Sequence, residues 1–397
     1  MIKLSLDEIK PGMLLARSIV SESGELLLSA GSVVNERVLT RIREIELTGA
    51  WIAEEGTETA ISEENVNEQL ALQSQFIVKE NADILKKVVQ IKTVTSANIA
   101  AVLADTNRFK NIIAVEEIKK IIKQIMEDLL GKEPVAVNLN SIRTKSGYHY
   151  QHALDVAVTA IILATKLKYT QREIEDLALG CLLMDLGMVV LPESLLNKQG
   201  PMTENDINLF REHPTIGYAI LRQNDRIGIT TAHVCYQHHE RQDGKGYPRG
   251  LRGDNQIPLK TLSPKQGMIH RYAEIAAVAD TYISLLSPRP NTIPPQSPDE
   301  AMRIVIKSAG THLNRAVVDA FITIVPVFPV GSRVVIVEDK KYHKYSGYSG
   351  VVARCSAENP EKPVLLIIFD REKKKIKPWT LDMSEEVGFK IQFARLQ

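Results

Sequence analysis

The chain has 397 residues, of which 44% are hydrophobic and 24% charged, and its 49 Lys and Arg against 48 Asp and Glu leave a net charge of +1. That length accommodates two or three domains of ordinary size in a soluble composition. The near-zero charge excludes a global field that would recruit nucleic acid or an anionic membrane, so an anionic ligand has to be held locally.

Three cysteines, Cys181, Cys235 and Cys355, are odd in number, widely spaced and without a CxxC pair. They exclude a disulfide or thiolate-zinc framework and point to a reducing, cytoplasmic setting. The start MIKLSLDEIKPGM has no basic region followed by an apolar one, and no eighteen apolar residues run unbroken. Neither a signal peptide nor a membrane span is expected.

The first elements are short β-prone runs, LLARSIV and ELLLSAG, broken by Pro11-Gly12, Gly24 and Gly31 and followed by a helical stretch up to TGAWIAEE. A small α+β module over 1–60 is expected. The acidic EEGTETAISEEN, poor in large apolar residues, reads as a linker. A helical region over 61–133 follows. It is clearest in VEEIKKIIKQIMEDLL, where Ile118, Ile121, Ile122, Ile125, Met126, Leu129 and Leu130 recur at i, i+3, i+4 and i+7. Such a stripe packs on its own domain, with a dimerising helix pair, and so a homodimer, as the alternative.

From 134 to 326 helix follows helix. The start signals Thr170-x-x-Glu173, Ser263-Pro264-Lys265-Gln266 and Ser297-Pro298-Asp299-Glu300 agree with the periodicity. An all-α core is expected there. After Val325 the runs PVFPVGSRVVIVED, SGVVARC and KPVLLIIFD, separated by Gly, Pro and charged turns, predict a small β-rich appendage over 327–397, with DKKYHK and REKKKIK as solvated hairpin ends.

Eight of the nine histidines, all but His343, fall between residues 149 and 312. A single helical histidine is commonly structural, and His149 reads as a helix-start residue, but the group calls for an explanation. In YHYQHALDVAVTAIILATKL the inward stripe is Ala153, Val156, Ala157, Ala160, Ile161 and Ala164, and His152 lies at its edge. Asp185 ends the apolar run LALGCLLM, and Asp280 likewise ends a stripe of Ile275, Ala276 and Val278. A carboxylate at a core face is costly unless paired or bound to a cation. His213 precedes a Pro-bounded turn, and His238 and His239 are adjacent, diverging by about 100° if both are helical. Four histidines and two aspartates without cysteine suit iron, manganese or a similar divalent ion. The task of such a site is hydrolysis of a phosphate ester, with a carboxylate shared between two ions.

The stretch HHERQDGKGYP at 238–248 reproduces the HHExxDGxGYP signature, and the chain is identified as a member of the HD-GYP group of the HD phosphohydrolase superfamily. The resemblance continues through YHYQHALDVAV, NKQGPMTENDINLFREHPTIG and VADTYISLLSPRP. LSLDEIKPGMLLARSIV also resembles a module often found ahead of such domains. What the resemblance implies is a multi-domain protein around an all-α HD-type helical core. Its implied activity is that of a phosphodiesterase opening cyclic di-GMP to pGpG or GMP, with one or two divalent ions, Fe or Mn rather than Zn. Position by position it implies His152, Asp185, His213, His238, His239 and Asp280 as metal ligands, Asp185 being the bridging, catalytic acid. It implies Tyr247 and Arg289 as nucleotide contacts, while Gly244 and Gly246 fit a loop where side chains would block approach. A diguanylate cyclase domain docking on the GYP loop is a further implied partner.

The departures bear on activity. Residues 184–188 read MDLGM where the family has HDIGK, so Met184 stands for a histidine ligand and Met188 for a lysine near the phosphates. A thioether is a poor ligand for Fe or Mn. Ile283, Thr292 and Tyr148 replace a second aspartate, a basic residue and an extra carboxylate. The ion implied at Asp185, His213, His238 and His239 keeps its set, while its neighbour retains His152, Asp185 and Asp280. The expectation is a phosphodiesterase of reduced activity. The alternative is an inactive domain that binds cyclic di-GMP or a protein partner.

Overall fold

The computed structural model describes residues 2–6, 8–20, 26–44, 49–54, 66, 68–89, 109–130, 148–198, 200–258, 267–287, 295–355, 359, 362–385 and 388–394. Most of the acidic linker, the start signal at 263–266, Thr292 and Arg289 therefore lie outside the described residues.

The N-terminal module contains β1 (Ile2–Ser5), β2 (Leu14–Leu15), β3 (Ile19–Val20), β4 (Leu26–Leu28), α1 (Glu36–Glu44) and β5 (Gly49–Ala53). Strand β5 is central in the antiparallel order β1-β5-β2, and β3 pairs with β4. The C-terminal part is a five-stranded antiparallel sheet of β6 (Arg333–Asp339), β7 (Ser349–Arg354), β8 (Val364–Phe369), β9 (Lys375–Asp382) and β10 (Phe389–Phe393), in the order β10-β6-β7-β8-β9.

These two ends of the chain form one packed unit. Successive residues of a strand point to opposite faces. In β8, Leu365 and Ile367 join Val334, Ile336, Val352 and Phe389 in one core. Leu366 and Ile368 join Val351 in a second core, shared with Leu4, Leu15, Val34, Ile42 and Ile52 of the N-terminal module. Burial on both faces accounts for the unbroken apolar run VLLIIF. Arg333 adds contacts to Glu8 and Glu54 at 3.9 and 3.8 Å.

The helical core comprises α2 (Glu68–Val89), α3 (Val115–Leu130), α4 (Tyr148–Lys166), α5 (Gln171–Leu183), a 3-10 turn (Leu186–Val190), α6 (Glu193–Leu196), α7 (Glu204–Phe210), α8 (His213–Leu221), α9 (Ile229–Gln237), α10 (Arg271–Leu286), α11 (Pro298–Ser308) and α12 (Arg315–Phe321). Ile118, Ile121, Ile122, Ile125, Met126 and Leu129 of α3 are buried in the same core as α4, α5 and α10, together with Ile77, Val78 and Leu85 of α2. The stripe on α3 thus packs within its own domain, and the core runs across residue 133.

Helix α4 differs from its sequence reading. Residues 151–161 are buried all round, so His152 is not at the edge of a stripe but inside. The internal polar groups bind one another: Gln151 Nε2 donates to Asp155 Oδ1 at 2.7 Å, and Thr159 Oγ1 to the Asp155 carbonyl at 2.7 Å. The capping boxes at Thr170/Glu173 and Ser297/Glu300 are present, and a third starts α7 at Thr203/Asp206. Arg271 ties the start of α10 to that of α5 through Glu173 at 2.6 Å, its guanidinium in contact with the rings of both Tyr169 and Tyr272.

Truncating Ile368 to Ala should destabilise the joined terminal unit by about 2–4 kcal/mol, the usual cost of an aliphatic core truncation. Both tryptophans of the chain, Trp51 and Trp379, lie in that unit. Urea unfolding followed by tryptophan fluorescence should show a lower midpoint than wild type.

Candidate metal centre

Asp185 is set at the junction of α5 and the 3-10 turn by close backbone packing. Cys235 Sγ, on α9, donates to the carbonyl of Met184 at 3.0 Å. The turn itself presses on the start of α8. A Cβ on Gly187 would lie 2.0 Å from the His213 carbonyl oxygen and 2.7 Å from the Gly217 nitrogen, so no side chain fits there. This contact delivers His213 to Asp185.

Both His213 and His238 are oriented by backbone carbonyls. The His213 Nδ1–H donates to the Phe210 carbonyl at 2.8 Å, and the His238 Nδ1–H to the Cys235 carbonyl at 2.9 Å. A carbonyl only accepts, so each ring carries its proton on Nδ1 and presents a bare Nε2. These two Nε2 atoms face each other at 3.4 Å, and Asp185 Oδ1 stands 3.6 and 3.7 Å from them. Burial pushes the fully enclosed His213 down to about 4, against the raising influence of Asp185, so its imidazole is neutral near pH 7. The ligand nitrogen of His239 lies within 4.8 Å of those of His213 and His238. The converging Nε2 lone pairs of His213 and His238 beside the Asp185 carboxylate form a donor set that fits a divalent cation, both imidazoles already held by a backbone partner.

His152 and Asp280 form the opposite wall. The His152 Nε2–H donates to Asp280 Oδ1 at 2.9 Å and lies 3.9 Å from Asp185 Oδ2. Burial raises the Asp280 carboxyl, but the hydrogen bond and charge of His152, with His239 and His238 beyond, outweigh it and hold the group well below the usual carboxylate range. All six expected ligands are therefore brought to one place.

One local geometry departs from the sequence reading. Helix α9 ends at Gln237, with His238 as its cap and His239 in the following turn, so the two are not neighbours on a helix. Their ring centroids are 4.0 Å apart. Other histidines stay outside the cluster. His233 and His270 stack on each other at 5.5 Å, His270 caps α10, and His149 is exposed at the start of α4. The side chain of Met184 is fully buried in the apolar core, whereas Met188 is half-buried in a cleft beside Asp185.

The GYP segment is clamped from beneath. Glu240, which sequence reading passed over although it stands in the motif, is buried and accepts from the backbone N–H of Arg249 at 2.7 Å and of Leu251 at 2.8 Å. A Cβ on Gly246 would meet the Arg241 nitrogen at 2.4 Å and the His239 carbonyl at 2.6 Å. That tight path lays Tyr247 flat on His239, centroids 4.7 Å apart at 22°, with the Arg211 guanidinium 5.3 Å from the other ring centre. Nothing in the sequence pattern pointed to Arg211. Gln242 and Asn314 both donate to Glu274 Oε1, at 2.8 and 3.0 Å, tying the segment to α10 and α12.

The fold and the site together define a helical-bundle domain in which a cluster of histidines and aspartates that could hold a metal ion lies beside the glycine-rich segment. Residues 124–317 match the HD domain family, and the HHExxDGxGYP signature at 238–248 lies within that match. It is 28% identical over 267 residues to "Cyclic di-GMP phosphodiesterase PA4108" of Pseudomonas aeruginosa, covering 67% of this chain and 59% of that protein. It is 37% identical over 130 residues to "Cyclic di-GMP phosphodiesterase response regulator RpfG" of Xanthomonas campestris, covering 32% and 31%. To "Cyclic di-GMP phosphodiesterase" of Thermotoga maritima it is 32% identical over 161 residues, covering 40% of each. The chain thus spans less than two thirds of the length of these relatives.

Glu274 generates a pH prediction. Burial raises its carboxyl from 4.5 to about 7, despite the opposing bonds from Asn314 and Gln242. The folded state then holds a proton that the unfolded state releases between those values, so stability falls as pH rises from about 4.5 to 7 and levels off above. Glu274→Gln keeps the acceptor oxygen and should flatten that slope, worth about 2–3 kcal/mol across the window. Urea midpoints at several pH values check this.

Proposed function

We propose that the chain is a metal-dependent phosphodiesterase acting on cyclic di-GMP, with turnover reduced by the residues at 184 and 188. The observation that carries this reading is the pair of bare Nε2 atoms of His213 and His238, 3.4 Å apart and each within 3.7 Å of Asp185 Oδ1. It is supported by the three relatives named as cyclic di-GMP phosphodiesterases. The ion is held by Asp185, His213, His238 and His239, with iron or manganese favoured over zinc by the absence of thiolate donors. When bound, it polarises the phosphate and activates water for attack.

The protein's own groups do the rest. The Phe210 and Cys235 carbonyls hold the two imidazoles in the ligating tautomer, and Tyr247, stacked on His239, is a proposed nucleotide contact. His152 and Asp280 turn their facing atoms on each other, and with Met184 absent as a ligand this favours one ion rather than two. Arg289 completes the proposed nucleotide contacts, and a cyclase domain is a proposed partner of the GYP loop. The second reading, a nucleotide-binding domain without turnover, is favoured by the replacement of two polar side chains next to Asp185 by Met184 and Met188.

Purified protein should carry close to one divalent ion per chain, lost in His213→Ala. Met184→His combined with Met188→Lys should raise hydrolysis of cyclic di-GMP by at least about tenfold, since one ligand and one cation together recover more than 1.4 kcal/mol of transition-state stabilisation. Metal analysis beside product quantification on the same preparations decides between the readings: metal and binding without turnover in wild type would select the second.

A further inference from the structure

Beside the metal centre a cleft of about 90 Å³ opens between α2, α4 and the turn after Asp185. Val78, Ala82 and Lys86 of α2 form one wall, Asp185 and Met188 another, and Leu196 part of the floor. Among the described residues of that lining, Lys86 is the only Lys or Arg. Its wall comes from a helix that lies outside the matched residues 124–317. The lysine is held by Glu193 Oε1 at 3.3 Å, with side chains 46% and 77% exposed. An exposed pair of that kind contributes little and is easily exchanged for a stronger anionic partner. A phosphate diester carries its charge on nonbridging oxygens, and an ammonium on a flexible stem is a suitable point charge for one of them.

We propose that Lys86 is a substrate-positioning residue, which leaves Glu193 to bind a nonbridging phosphate oxygen of the cyclic dinucleotide as it enters this cleft. The proposal rests on the reading of the site as one for cyclic di-GMP and adds a residue from the N-terminal helices to it. Glu193 competes for the same ammonium, so it opposes binding. The two residues therefore have opposite effects, which a merely structural ion pair would not produce.

The experiment is calorimetry of the metal-loaded full-length chain with cyclic di-GMP, together with metal analysis and, where turnover is measurable, KM and kcat. Lys86→Met keeps most of the aliphatic stem and should weaken binding by ~10-fold, the order expected for one charge-assisted contact. Metal content should be unchanged. Lys86→Arg should restore most of the affinity, and Glu193→Gln should tighten binding above wild type. The affinity of wild type should fall with added salt more steeply than that of Lys86→Met. Wild-type binding with no change in Lys86→Met, or with equal losses in Lys86→Met and Glu193→Gln, overturns the role of Lys86 and leaves the functional reading standing. Absence of wild-type binding to metal-loaded protein overturns both.

Discussion

The structure depends most on one uncompensated convergence: two imidazole nitrogens and a carboxylate oxygen meet with no proton between them. Such groups repel unless a cation joins them, and the enclosure of His213 makes protonation of its own ring an unfavourable remedy. The arrangement exists because backbone meets backbone. Gly187 has no room for a Cβ against the His213 carbonyl, and Cys235 places its thiol on the Met184 carbonyl from the other side. A shift of α8 by the width of a methyl group would open the triangle. Packing of polypeptide, more than any side chain, sets the coordination geometry.

The loop beside this cluster is held by two buried acidic side chains, Glu240 and Glu274. Glu240 accepts from two backbone amides, which anchors the run 249–251. Glu274 is pushed up to about 7 and is satisfied by two amide side chains that donate whether it is charged or not. A partly protonated acid suits that place, because it is held without bringing a full charge into the space between α10 and α12. The loop stacks Tyr247 on His239, which ties the GYP segment to the histidine cluster through a ring contact.

Much of the site was legible in HHERQDGKGYP, since a motif with fixed glycines, a fixed acid and two adjacent histidines describes a loop with few alternatives. Less was legible where satisfaction is internal. Gln151, Asp155 and Thr159 fall outside the inward stripe read for α4, yet they bind one another and let the helix be buried all round. The box at Thr203/Asp206 was missed because Asp206 takes the place usually filled by Glu or Gln. The joining of residues 4–52 to 351–368 left only one local trace, the unbroken apolar run of β8, since long-range pairing has no periodic signature.

Helix α2 shows how the rest of the chain bears on the centre. Its apolar residues Ile77, Val78 and Leu85 are part of the same core as α4, α5 and α10, so it cannot swing as a free linker. Gln75 donates to Gln151 on α4, one residue before His152, and Lys86 reaches Glu193 just past the turn that follows Asp185. The helix therefore lines one wall of the cleft and contacts the segments next to both His152 and Asp185. A displacement of α2 changes the cleft and the setting of His152 together, because close-packed elements move in concert rather than singly. Residues ahead of the matched family region thus line the cleft beside Asp185, and its charged lining comes both from that helix, through Lys86, and from Asp185.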